Sequence, residues 1–194
     1  MRVSKEKAAQ NRVAILDAAS RLFRRLGIDG VGVAEIAEEA GLTHGALYAH
    51  FPSKDALVAE AFSHGFQGNM AKVRARAGKQ RPSFEDHLGG LLSIRMRDNL
   101  ERGCPLAASA SEIGRQGDAV SDRFTQAFAE MVAMFEDSLE PGIPAARKRR
   151  LAIAAVAAQI GAIAVSRAVA KTDSALADEV LRSVQQTVAD SATS

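Results

Sequence analysis

Tyr48 is the only tyrosine in a chain of 194 residues, and it lies within the run IAEEAGLTHGALYAHFPSKDAL at residues 36–57. Around it stand Thr43, His44, Gly45, Ala46, Ala49, His50 and Lys54, a set without a nucleophile motif or metal-ligand spacing. Such a set can hold nucleic acid. A phenol hydroxyl reaches a phosphate oxygen while its ring packs on a helix bundle, and much protein–DNA hydrogen bonding goes to phosphates. Lys54 adds a point charge at a helix start, where the N-terminus also draws phosphate. Thr43 caps a helix and contacts phosphate if the docking brings one near. His44, Gly45, Ala46 and Ala49 face outward toward base edges, with His44 able to hydrogen-bond and the alanines offering methyl contact to thymine. His50 supports the helix, and Phe51 is core.

Those residues need elements that hold them at fixed spacing. Ile36, Ala37 and Ala40 form the buried face of a helix whose Glu38 and Glu39 meet water. Gly41 stops it, because glycine enters the left-handed conformation cheaply. Leu42 plugs the turn, and Thr43 caps a second helix from His44 to about His50. Pro52 forbids continuation, and Ser53 caps the next helix. This arrangement is a helix-turn-helix. With sparse base contacts, specificity must come largely from half-site spacing and DNA shape.

At these positions the chain resembles the TetR family of bacterial transcriptional regulators, whose rough pattern is IAxxAGVSxGxLYxHFxxKxxL. It matches at Ile36, Ala37, Ala40, Gly41, Gly45, Leu47, Tyr48, His50, Phe51, Lys54 and Leu57, with Leu42 and Thr43 as conservative variants. The resemblance is strong over residues 10–60; beyond that it rests on helix order and a GCPL segment. It implies a homodimer that binds near-palindromic operator DNA, most often as a repressor, with a C-terminal body that dimerises and takes a small-molecule effector. It also implies that Tyr48 contacts phosphate. The chain departs from the pattern at Gly32, where the family usually has Thr or Ser. The loss of a hydroxyl cap costs a few tenths of a kcal/mol and weakens one phosphate contact.

Composition sets the frame. Hydrophobic residues make up 47% of the chain and aromatics only 5%, with no tryptophan. Alanine dominates and strand-like alternation is missing, so the expected fold class is all-α with nine helices. The net charge is +2. Residues 1–30 hold seven Lys/Arg against three acids, whereas residues 31–64 hold one lysine against five acids. DNA-facing charge must therefore come from the N-terminal arm and a few placed groups. The single cysteine fits a reducing cytoplasm. No apolar stretch follows the basic N-terminus, so no signal peptide is expected. Leu151–Val165 reads as too short and too weakly apolar for a membrane span.

Along the chain, residues 1–4 read as a mobile arm. Helix one spans Lys5 to Leu26, with Val13, Leu16, Ala19, Phe23 and Leu26 as its apolar stripe. Helix two starts near Val33, and helix four runs from Lys54 to about Arg76 before a linker at 78–82. Ser83 to Asp86 reads as a cap opening helix five, which continues through Arg102 and buries Leu88, Leu91, Leu92, Met96 and Leu100. Gly103-Cys104-Pro105 starts a short sixth helix. Asp118 caps a seventh to about Leu139. Pro144 opens the eighth, to about Ala170. A ninth begins after Thr172, Asp173 or Ser174, with a frayed tail past Asp190. The expected domains are a DNA-binding head at 1–52 and an effector-binding and dimerising body at 53–194.

In the body, Phe62, Phe66, Met70, Met96, Phe124, Phe128, Met131 and Phe135 read either as core or as the lining of an apolar or aromatic ligand pocket. Cys104 sits at a helix start after Arg102, features that lower a thiol pKa, so an electrophile or oxidant sensor is a second reading beside an inert buried thiol. Small residues at Ala157, Ala158, Gly161 and Ala162 permit close helix approach and, with Val180 and Val184, suggest a four-helix dimer seam. The basic run 147–150 reads as a solvated helix start. No cofactor, metal or catalytic residue is expected. A helical-bundle di-metal enzyme would need Glu-x-x-His pairs that His64 and His87 do not complete. An effector-binding module with weak DNA binding is the remaining rival.

Overall fold

The computed structural model describes residues 4–78 and 81–193, and the described residues form ten helices and no strand. The expected arm and the centre of the expected linker, residues 1–3 and 79–80, lie outside them. The head comprises α1 (Lys5–Leu26), α2 (Val33–Glu39) and α3 (His44–Tyr48). The body comprises α4 (Lys54–Ala77), α5 (Phe84–Leu91), α6 (Ile94–Asp98), α7 (Pro105–Ile113), α8 (Asp118–Ser138), α9 (Ala145–Val169) and α10 (Ser174–Thr193). The long α4 packs on α1 at one end and along α8 at the other, so it belongs mechanically to both parts. α9 lies between α8 and α10.

Local chemistry explains most boundaries. Ser4 and Ser53 cap α1 and α4 through their hydroxyls, and Ser83 with Asp86 forms a reciprocal capping box at α5. Gly27 closes α1 at φ +83°, and a Cβ there would stand 2.4 Å from the Glu112 carboxylate. The extra helix comes from a break in the expected fifth helix. Leu92 leaves helical geometry, and the Ser93 hydroxyl caps the following turn by accepting from the Met96 N–H at 3.2 Å. Leu100 is consequently 41% exposed. At α8 the cap is Gly117 and not Asp118, which occupies the first helical turn. Asp173 caps α10 by accepting from the Leu176 N–H at 2.9 Å. That helix stays ordered through Thr193, past the expected fraying point, and Arg147 donates to its Ser191 carbonyl.

The buried stripe of α1 is Ile15, Leu16, Ala18, Ala19, Leu22 and Phe23, whereas Val13 and Leu26 are about half exposed, contrary to the sequence expectation. α9 is 25 residues long and contains an 18-residue stretch of mean hydropathy 1.7, enough by length and composition to cross a bilayer. That exceeds the expectation drawn from residues 151–165. Its inner face (Ala152, Ala155, Val156, Ile163) is nevertheless filled by its neighbours, as in a core helix. The run 147–150 serves the body: Lys148 donates to the Leu139 carbonyl, and Arg149 pairs with Glu136.

Candidate nucleic-acid interface and ligand cavity

Two sites emerge, one in each part. In the head, Gly41 takes φ +67° and turns the chain between α2 and α3. Thr43 caps α3, its hydroxyl accepting from the Ala46 N–H at 3.2 Å. Gly32 precedes α2 without any side-chain cap, as its missing hydroxyl requires. Tyr48 is 44% exposed, and its ring meets His44 edge-on, with centroids 4.9 Å apart, one turn earlier on the same face. The tyrosine is thus flanked by a neighbour on its own helix and remains partly open to solvent. Thr43, Gly45 and Ala49 are exposed, while Ala46 and His50 are half-buried. His50 lies beside the Phe51 ring, and Phe51 is fully buried.

Gly45 carries information of its own. It has no positive φ, and a Cβ placed there would meet nothing within 4 Å. The protein's own packing therefore gives no reason for glycine in this helix, where alanine would be better by up to about 1 kcal/mol.

Charge in the head is mostly used internally. Arg12 pairs with Glu60 and lies over the Phe51 ring, Arg21 bonds Glu39 at 2.8 Å, and Arg24 and Arg25 both bind Glu101. Lys5, Lys7 and the half-buried Lys54 enter no ion pair among the described residues. Among the described Lys and Arg side chains of residues 4–54, those three, two on α1 and one at the start of α4, are left without a carboxylate or carbonyl partner.

In the body, a cavity of about 610 Å³ opens among α4, α5, α6, α7 and α8. Of the residues expected from sequence, it collects Phe66, Met70, Met96, Cys104 and Met131. It does not collect Phe62, Phe124, Phe128 or Phe135. Those rings pack on one another and on α5: Phe62 against Phe124 at 5.8 Å, Phe124 stacked on Phe128, and Phe135 edge-on to Phe84 at 5.3 Å. The cavity adds charged and polar side chains that periodicity did not single out, among them Lys72, Arg76, Arg81, Arg95, Arg102 and Asn69. Only the i, i+4 spacing of Lys72 and Arg76 on α4 hinted at them.

Cys104 lines the same cavity yet is only 4% exposed. Burial pushes its thiol up, against the lowering effect of the Ala107 and Leu106 N–H groups at the start of α7. Desolvation outweighs the helix terminus here. The cations that act on it are Arg167 and Arg24, whereas Arg102 is an exposed residue of the cavity lining. Beside it Gln159 is fully buried, and the Cys104 thiol is the one group near enough to engage its carboxamide among the described residues.

On α9, Ala157 and Gly161 are exposed and Ala158 half-buried, but Ala162 faces the subunit's own core at 5% exposure. Ile153 and Val165 extend the outer face with exposed apolar surface. Val180 and Val184 of α10 are half-buried and pack partly on the core. As at Gly45, a Cβ on Gly161 would meet nothing.

Residues 15–61 match the family described as bacterial regulatory proteins, tetR family, and residues 83–190 match the LmrA/YxaF-like transcriptional regulator C-terminal domain. The HTH-type transcriptional regulator AcrR of Shigella flexneri is 44% identical over 59 residues, which is 30% of this chain and 27% of that protein. That match spans little more than a quarter of the relative's length. LmrA of Bacillus subtilis is 26% identical over 66% of this chain and 71% of its own length. Among solved structures, a TetR regulator from Legionella pneumophila covers 99% of the chain and 100% of its own at TM-score 0.76 and 17% identity. One from Chloroflexus aurantiacus covers 97% and 96% at TM-score 0.75 and 21% identity. These are regulators and not enzymes, and the all-helical architecture is theirs. With a family match over more than half its length and the fold to go with it, the chain belongs to the TetR family of bacterial regulatory proteins.

Proposed function

We propose that this chain is a homodimeric repressor whose head, near residues 1–52, reads a near-palindromic operator, and whose body, near 53–194, binds a small effector that releases it. The observation that carries the reading is the outward surface of α3. Tyr48 is exposed and braced by His44, Thr43 is engaged as the cap, and Gly45 leaves the backbone bare where nothing inside the protein asks for it. A DNA backbone approaching closely supplies the missing reason. Operator binding places its action in the cytoplasm. The apolar outer face of α9 around Gly161, with α10, supports pairing of two subunits and hence of two heads.

A gel-shift titration on DNA flanking the protein's own gene tests the reading. Tyr48→Phe and Lys54→Ala should weaken binding to all sequences alike, and Lys54→Ala should reduce the slope of log affinity against log salt by about 1. Unchanged affinity in both variants would place the DNA elsewhere. Weak, salt-insensitive binding by the unaltered chain would favour a ligand-binding module. The electrophile-sensor reading of Cys104 loses support from the burial that pushes its thiol up.

A further inference from the structure

The body cavity is apolar at depth and cationic at its exposed lining. Phe66, Met70, Met131 and Cys104 are buried, whereas Lys72, Arg76, Arg81, Arg95 and Arg102 are exposed. None of these five cations makes an ion pair among the described residues. Elsewhere six arginines (Arg12, Arg21, Arg25, Arg74, Arg97 and Arg149) each bind a carboxylate, and Arg24, Arg115, Arg147 and Arg167 donate to backbone carbonyls. The one carboxylate in the lining, Asp86, is already committed. It accepts from the Ser83 N–H at 2.9 Å in the capping box, and its pKa is held below the usual carboxylate range by that bond. The lining therefore sets five cations against one carboxylate that is already engaged elsewhere. Cations that border a low-dielectric wall focus a positive potential into it.

We propose that the effector is an apolar anion: one hydrocarbon or aromatic body lying against Phe66, Met70 and Met131, with one carboxylate or other acidic group held among Arg76, Arg95 and Arg102. The cavity's volume fits a single small molecule of this kind, since such sites run from about 300 to 1,000 Å³. Arginine suits the role because its planar donor fork matches a carboxylate's two oxygens. The proposal rests on the reading of the body as an effector domain, and it narrows the apolar or aromatic ligand expected from the sequence to an acidic one. Partial neutralisation on binding makes affinity sensitive to salt, which a neutral ligand's would not be.

The test is calorimetric titration of the DNA-free, full-length protein with three probes: sodium dodecanoate, 1-naphthoate and 1-dodecanol. At least one acid should bind, and dodecanol should bind more weakly than dodecanoate by roughly tenfold, the value of a charge-assisted contact at a partly solvated site. Acid affinity should fall as salt rises. The exposed pair Arg95→Glu with Arg102→Glu should lower acid affinity by at least that factor and leave dodecanol binding unchanged. Equal binding of dodecanoate and dodecanol, binding indifferent to the double substitution, or binding of neither acid would overturn it. Because no DNA is present, failure of the operator reading leaves this result standing. Acid binding that does not release DNA would sink only the coupling.

Discussion

The Nε of Arg24 donates to the backbone carbonyl of Glu101 at 2.6 Å, joining the last turn of α1 to the loop between α6 and α7. Arg25 adds a second tie, to the Glu101 carboxylate at 2.9 Å. Asn69 of α4 holds the same loop from the other side, donating to the Gly103 carbonyl at 2.7 Å. Asn99, Arg102 and Cys104 of this loop line the cavity. A ligand that moves the loop therefore pulls directly on the head. Burial lowers the Arg24 guanidinium to about 10, so it remains charged at neutral pH and keeps its grip.

Arg24→Met should cost about 1.5–3 kcal/mol of stability, the range for a hydrogen bond from a charged donor. It should also blunt the release of DNA by ligand while leaving ligand affinity nearly unchanged. Urea unfolding gives the first quantity, and operator titrations with and without ligand give the second. Full ligand response in a destabilised variant would mean that α4 alone carries the signal.

Gly45→Ala should stabilise the free protein by up to about 1 kcal/mol, because the new methyl meets no protein atom and the helix gains propensity. Operator affinity should nevertheless fall. Thermal unfolding and gel shifts moving in opposite directions are the signature of a site shaped by its partner. A rise in both would remove the close approach at this position.

Gly161→Arg and Ala162→Arg should fail in different ways. At Gly161 a bulky charge enters the outer face of α9, so sedimentation should show folded monomers. At Ala162 the same charge enters the subunit's own core, so the protein should unfold or aggregate. Folded dimers of the Gly161 variant would move the pairing surface away from α9.

His87 lines the cavity, and burial holds its pKa below the ordinary histidine value. The unfolded chain therefore binds a proton that the native state resists. The associated stability is present above about pH 6.5, is lost as pH falls below it, and levels off under the depressed native value. His87→Gln should remove this component. Unfolding free energy measured between pH 5 and 7.5 for both proteins would show it as a difference in slope.

The head was legible in the sequence because its residues declare themselves: Gly41, Thr43 and Ser53 each have a local reason that tertiary packing does not overrule. The body was less so. α9 is apolar nearly all round, so periodicity could not tell the outward Gly161 from the inward Ala162. The break at Leu92 was hidden because Ser93 sits in a pattern that reads as one helix until its hydroxyl is seen capping. The cavity's cations come from separate segments, on α4, before α5, on α6 and in the loop after it. Only folding brings them together. Aromatic spacing on α8 was real, but it served ring packing and not the cavity.

The smallness of the outward positions on α3 also bears on how an operator is found. Gly45 and Ala49 offer little for any base pair to reward or resist. On the proposed reading, a dimer held to DNA by lysines and a tyrosine hydroxyl would slide along phosphates that are the same at every step. Its energy would then vary little from one register to the next, and one-dimensional scanning would be quick. Arrest would come when both heads meet fitting groove geometry together, so the stop signal would lie in the pair of sites and not in either half alone.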